Sequence, residues 1–107
     1  MKRHRVEFSD ESKRDIANSF EWGRKEWGEE AALRWYRKLR SQTRDRLANF
    51  PMSQPFAPET AETGREIRQL IFGRYRVLFE VHVRTVRILP VRGAFVGAAE
   101  DDPGDDE

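Results

Sequence analysis

Cysteine is absent from the 107 residues, which excludes disulfides, zinc–thiolate sites and thiol nucleophiles and fits a reducing compartment. Long apolar runs are missing as well: no stretch approaches the length of a membrane span, and Met1-Lys2-Arg3-His4-Arg5 leads into a charged segment rather than a hydrophobic signal core. A soluble, cytoplasmic chain is the expectation. Histidine is scarce, with His4 and His82 alone, and no cluster of Asp, Glu and His stands at metal-ligand spacing. Neither a metal nor any other cofactor is therefore expected.

What is present is charge. Charged residues make up 36% of the chain and hydrophobic ones 37%, enough apolar surface for one core and too short a chain for two. The net charge of +1 conceals an asymmetry, because six of the 19 acids (Glu100, Asp101, Asp102, Asp105, Asp106 and Glu107) fall in the last eight residues. Residues 1–99 then carry 20 basic against 13 acidic groups, a net charge of +7. Such a body suits an acidic partner, whether nucleic acid or an acidic protein segment. One domain over residues 1–97 and a disordered acidic tail over 98–107 follow from this composition.

Along the chain, Val6 and Phe8 alternate with Glu7 in a first strand over residues 2–8. Ser9 is suited to cap a helix whose first turn carries Asp10 and Glu11. Ile16, Phe20 and Trp27 form that helix's stripe, Gly23 weakens it and Gly28 stops it. A second helix from Glu29 carries Ala32, Trp35, Tyr36, Leu39, Thr43, Leu47 and Phe50 at spacings of three and four, and Pro51 ends it. Arg24, Lys25, Arg34, Arg37, Lys38, Arg40, Arg44 and Arg46 lie between the two stripes, giving a hairpin with a basic outer surface. Residues 51–64, with three prolines and Gly64, read as a loop.

Residues 65–72, 74–82 and 85–91 then read as three strands of an antiparallel meander, so the fold class is α+β. Alternation assigns Ile67, Ile71, Val77, Phe79, Val81, Val86 and Ile88 to the face against the helices. Arg68, Leu70, Arg76, Leu78, Arg87 and Leu89 fall on the other face. That face offers apolar anchorage and guanidinium groups for carboxylates, although each arginine taken alone is as well explained as a solubilising charge. Trp22, off the main stripe, is either a partly exposed anchor or a cover for the hairpin seam.

The order strand, two-helix hairpin, loop and three-stranded meander resembles the ParE/RelE superfamily of type II toxin–antitoxin systems, which includes plasmid stabilisation proteins. The resemblance spans residues 5–96 and rests on Phe8-Ser9, Asp15-Ile16, Glu26-Trp27-Gly28, Arg65-Glu66-Ile67-Arg68-Gln69-Leu70, Gly73-Arg74-Tyr75-Arg76-Val77-Leu78-Phe79 and Ile88-Leu89-Pro90-Val91-Arg92. It implies a toxin that halts growth when free and is neutralised by a cognate antitoxin, often in assemblies of two toxins with two antitoxins. The candidate antitoxin- or target-binding residues are Arg68, Leu70, Arg74, Arg76, Leu78, Arg87, Leu89, Arg92 and Trp22.

The superfamily contains ribosome-dependent mRNA endoribonucleases similar to RelE and DNA gyrase inhibitors similar to ParE. Metal-independent RNA cleavage needs a base, an acid and cations on the phosphate. Arg76 and Arg92 match the phosphate-stabilising arginines of RelE-like nucleases, and Glu80 is the candidate base. Those nucleases commonly carry a tyrosine or histidine after the last strand, where this chain has Gly93-Ala94-Phe95-Val96, and a phenyl ring exchanges no proton. Tyr75 alternates away from Arg76, toward the core. The expectation is a ParE-like inhibitor acting by binding to gyrase, with the RelE-like ribonuclease as the alternative. A plain nucleic-acid-binding module is disfavoured, because Trp35, Tyr36 and Phe50 lie on the apolar stripe rather than at exposed stacking positions. The acidic tail can also fold back on the arginine face, an effect that salt should suppress.

Overall fold

The computed structural model of the chain describes residues 3–73 and 75–90. Strand β1 (Arg5–Phe8) enters helix α1 (Asp10–Trp27) through Ser9. The Ser9 hydroxyl accepts from the Ser12 amide at 3.1 Å, and the Ser12 hydroxyl returns a bond to the Ser9 carbonyl at 2.8 Å. Asp10 and Glu11 sit at the positive end of the helix dipole and Arg24 and Lys25 at the negative end. Gly28, at φ 97°, closes α1 by donating to the Arg24 carbonyl and opens α2 (Glu29–Asn49) by accepting from Ala32. That φ is the reason for glycine at the corner.

Helices α1 and α2 form the expected antiparallel hairpin. Ile16, Trp35, Leu39 and Leu47 from their stripes bury against Val77, Phe79, Val86 and Ile88 of the sheet. Phe50 departs from the stripe. As the residue that ends α2 it leaves helical geometry at φ −137° and is 58% exposed. Trp27 and Trp35 meet edge to face at 6.2 Å, and Trp35 meets Tyr75 in the same way at 5.5 Å.

Gly23, which costs helix propensity, has a packing role that the sequence conceals. A methyl group there would lie 2.7 Å from Cζ3 of Trp27, and Trp27 is itself wedged between Trp22 and Trp35. Alanine normally stabilises a helix by about 1 kcal/mol over glycine. Here Gly23→Ala is expected to destabilise by about 1–2 kcal/mol through overpacking. Urea unfolding checks this, and an increase in stability would contradict it.

The sheet runs β1-β4-β3-β2, with β2 at Arg68–Phe72, β3 at Tyr75–His82 and β4 at Thr85–Leu89. The meander is antiparallel, while β1 pairs in parallel with β4, Phe8 opposite Ile88. The β3–β4 hairpin turns through Val83, at φ 58° and almost wholly exposed. A β-branched residue is strained there, so Val83→Gly is expected to leave thermal stability unchanged or raise it by about 1 kcal/mol. A clear fall in melting temperature would contradict the strain.

Two expectations need correction. Residues 51–64 are not a plain loop: Pro51–Ser53 form a 3-10 turn and Glu59–Thr63 form a one-turn helix, α3, closed by Gly64 at φ 76°. The faces of β2 are also inverted. Phe72 pairs with Tyr75 and Leu70 with Val77 across a two-residue turn, so Leu70 joins the main core. Ile71, opposite Arg76, faces outward and is 53% exposed. Ile67 also faces away from the long helices, packed with Leu78. A two-residue turn pairs residues of opposite parity, so reading odd positions as inward on both strands placed β2 one residue out of phase.

Candidate functional site

The sheet face turned away from the long helices carries Gln69, Ile71, Arg76, Leu78, Glu80, Arg87 and Leu89, as the pairing register dictates. Residues 54–67 fold across one end of it. The Ala57 amide donates to the Ile67 carbonyl at 2.7 Å and the Gln69 amide to the Pro55 carbonyl at 2.9 Å. The Thr60 hydroxyl both donates to the Ile67 carbonyl and accepts from the Ile67 amide, at 2.7 and 2.9 Å. These bonds seat a second small core of Ala57, Ile67 and Leu78, with Leu89 partly buried against it.

One arginine of this face is already engaged. Arg76 donates to Glu59 Oε1 at 2.7 Å and to Gln69 Oε1 at 3.1 Å. Partial burial pushes the Glu59 carboxyl up, but the hydrogen bond and charge of Arg76, together with a backbone bond, outweigh it and hold the group below its ordinary 4.5. A depressed folded-state value means that Glu59 contributes stability above its unfolded value and loses it as pH falls through the lower folded one. The melting-temperature gap between the wild type and Glu59→Gln is therefore expected to narrow from about pH 6 to about pH 3. A gap that stays constant would show that the ionised carboxylate contributes nothing.

Arg68 is not beside Arg76. It begins β2 on the helix-side parity, donates to the Gln54 and Met52 carbonyls at 2.7 and 3.3 Å, and lies 4.2 Å over the Phe56 ring. Its work is to hold the crossing segment at the sheet edge. Leu70 is buried in the main core and Leu78 in the small one, so neither is a surface anchor as expected. Leu89 remains half-buried, and Arg87 is exposed opposite Glu80. Trp22 is half-buried, edge to face at 5.4 Å with Trp27 of its own helix. Arg74 and Arg92 lie outside the described residues, as does the 98–107 tail.

Glu80, only 6% exposed, pairs with Arg65 and lies 3.2 Å from His82 Nε2. It and Arg76 are four residues apart on one strand face, about 13 Å along the strand, and each is held by different partners. Tyr75 is enclosed in the main core, and burial pushes its hydroxyl up to about 12 against the lowering effect of a Ser19 hydrogen bond. It stays protonated at neutral pH. Among the described residues no group of three or more His, Asp or Glu comes together to hold a metal, and no helix is long and apolar enough to cross a membrane.

What remains open on this face is a cleft of about 430 Å³, with Ile67, Leu78 and Leu89 at its base and Glu59, Arg65 and Pro90 among its walls. An apolar base with charged walls suits an amphipathic peptide segment better than a small polar metabolite. The sequence reading missed Glu59, Thr60 and the exposed Ile71. The first two had a signal, since Pro58 before Glu59 and Gly64 after Thr63 are the proline-first, glycine-last marks of a short helix.

The comparisons with known proteins agree with this architecture. A solved structure described as a chromosomal ParDE toxin–antitoxin system from P. aeruginosa superposes with a TM-score of 0.67 over 81% of this chain and 91% of its own, at 17% identity, which establishes a shared fold. No curated relative matches by sequence. The sequence model of the ParE toxin of the type II toxin–antitoxin system parDE matches residues 6–94. That match spans most of the chain and both faces of the sheet, and on it the protein belongs to the ParE toxin family of type II toxin–antitoxin systems.

Proposed function

We propose that this ParE-family chain is a growth inhibitor that acts by binding rather than by cleaving RNA, with DNA gyrase as its target. A cognate antitoxin neutralises it by laying an amphipathic, acid-bearing segment along the outer sheet face and its cleft. The observation that carries the binding reading is the engagement of Arg76. Its guanidinium is held by Glu59 and Gln69, and the candidate base Glu80 is turned to Arg65 and His82 instead. Cation and base therefore do not converge on a common point where a scissile phosphate could sit. The gyrase target is what the resemblance to ParE rather than RelE implies, and Phe95 in place of a proton-exchanging residue supports the same choice.

The antitoxin reading draws on the apolar base of the cleft, the exposed Ile71 and the exposed Arg87. A segment with apolar residues at alternate positions and carboxylates between them satisfies all three.

Pulse-labelling after controlled induction without antitoxin tests the mechanism. Early loss of thymidine incorporation, with methionine incorporation intact, is expected, together with inhibition of gyrase supercoiling by the purified chain. Early loss of methionine incorporation would instead establish a RelE-like ribosome-dependent endoribonuclease and make Arg76, Arg92 and Glu80 the first residues to replace.

A further inference from the structure

We infer that the acidic segment Glu100–Glu107 docks on a cationic patch of the chain's own helical hairpin, formed by Lys13, Arg40 and Arg44 around Phe8. The patch is built rather than accidental. Arg40 and Arg44 both lie over the Phe8 ring, at 5.3 and 5.6 Å from its centre, and Arg40 is fixed by a 3.0 Å hydrogen bond to the Tyr36 hydroxyl. Beneath them a hollow of about 150 Å³ is lined by Phe8, Lys13, Ile16 and Tyr36. All three cations are exposed, and none makes an ion pair among the described residues. Two guanidinium groups pre-positioned on an aromatic face lose little freedom on meeting a carboxylate.

Topology delivers the acids to this place. Because β1 runs parallel to β4, with Phe8 opposite Ile88 and the Ser9 amide on the Ile88 carbonyl, Pro90 lies at the same end of the sheet as Phe8. Residues 91–99 span at most about 30 Å, ample to reach a patch around Phe8, which lies on the strand beside β4. A tether of that length gives an effective concentration in the millimolar range, and six carboxylates in eight residues supply the complementary charge.

Three cations on or beside the sheet, Arg65, Arg76 and Arg68, are worse acceptors. Arg65 is already paired with Glu80. Arg76 is held by Glu59, and Arg68 by the Gln54 and Met52 carbonyls. The sheet-face arginines to which the sequence assigned the tail are thus largely satisfied, whereas the hairpin patch is not. An acidic partner seeking Lys13, Arg40 and Arg44 must displace the tail.

With no native cysteine in the chain, Gly104→Cys places a single nitroxide label in the tail of the full-length protein. At about 10 mM salt, where the Debye length is about 30 Å, the amide signals of Lys13, Arg40 and Arg44 are expected to weaken selectively. At about 1 M, where it is about 3 Å, they should recover. The low-salt loss should be about half of the signal or more, as expected for a segment tethered at millimolar effective concentration. Changing the six tail acids to Asn and Gln in the labelled chain should abolish the effect. Broadening centred on Arg65 or Arg84, no localised broadening, or a pattern that persists in the neutral tail would each overturn the docking.

Discussion

Trp35→Ala is expected to lower the unfolding free energy by about 3–5 kcal/mol, against a total of about 5–15 kcal/mol for a domain of this size. Trp35 is 1% exposed and stands where the two helices meet the sheet, with Trp27 edge-on from α1 and Tyr75 from β3. Removing it opens a cavity with rigid aromatic walls, which limits collapse and places the cost toward the top of the range. One effect opposes this. The indole Nε1 is buried without a hydrogen-bond partner among the described residues, so its loss relieves an unmet donor that costs about 1–3 kcal/mol. Trp35→Phe separates the two, because it keeps most of the ring and removes the donor, and its loss should be well below that of alanine. Denaturant unfolding followed by far-ultraviolet circular dichroism measures both. A loss under about 1 kcal/mol for Trp35→Ala would mean that the three-ring contact is not the keystone of the fold.

Leu78→Ala should act locally as well as globally. Leu78 belongs to the small second core with Ala57 and Ile67, on the face away from the long helices. Its truncation costs about 2–4 kcal/mol by burial and cavity terms, and the first structure to loosen is the crossing segment held by the Thr60–Ile67 bonds and the Arg76–Glu59 pair. Hydrogen exchange is the appropriate measurement. Protection of the Ala57 and Ile67 amides should fall more than protection within α2, because an independent unit opens below the global free energy. Equal loss throughout would show that the two cores unfold as one.

The helices were legible in the sequence because their signals are local. Ser9 followed by two acids, apolar spacing of three and four, Gly28 and Pro51 each act within a turn of their own position. The outer face was less legible. Arg68 and Arg76 look equivalent in sequence, yet one is fixed to the Gln54 and Met52 carbonyls and the other to Glu59. Both partners come from the segment read as a plain loop. Glu80, the candidate base, is paired with Arg65, which lies outside the meander strands.

By itself the sequence determined the α+β class, the order of elements and the basic body with its acidic end, because composition, caps and periodicity are properties of the chain alone, while the resemblance to a toxin family rested on its local motifs. Tertiary structure decided which face each residue serves. A two-residue turn after Phe72 set the phase of β2, sending Leu70 inward and Ile71 outward. The crossing segment then buried Leu78 and claimed Arg76, while Trp27 turned Gly23 from a weak point of the helix into a requirement of its packing. Pairing register and contacts between distant segments govern all of these, and no local pattern encodes them.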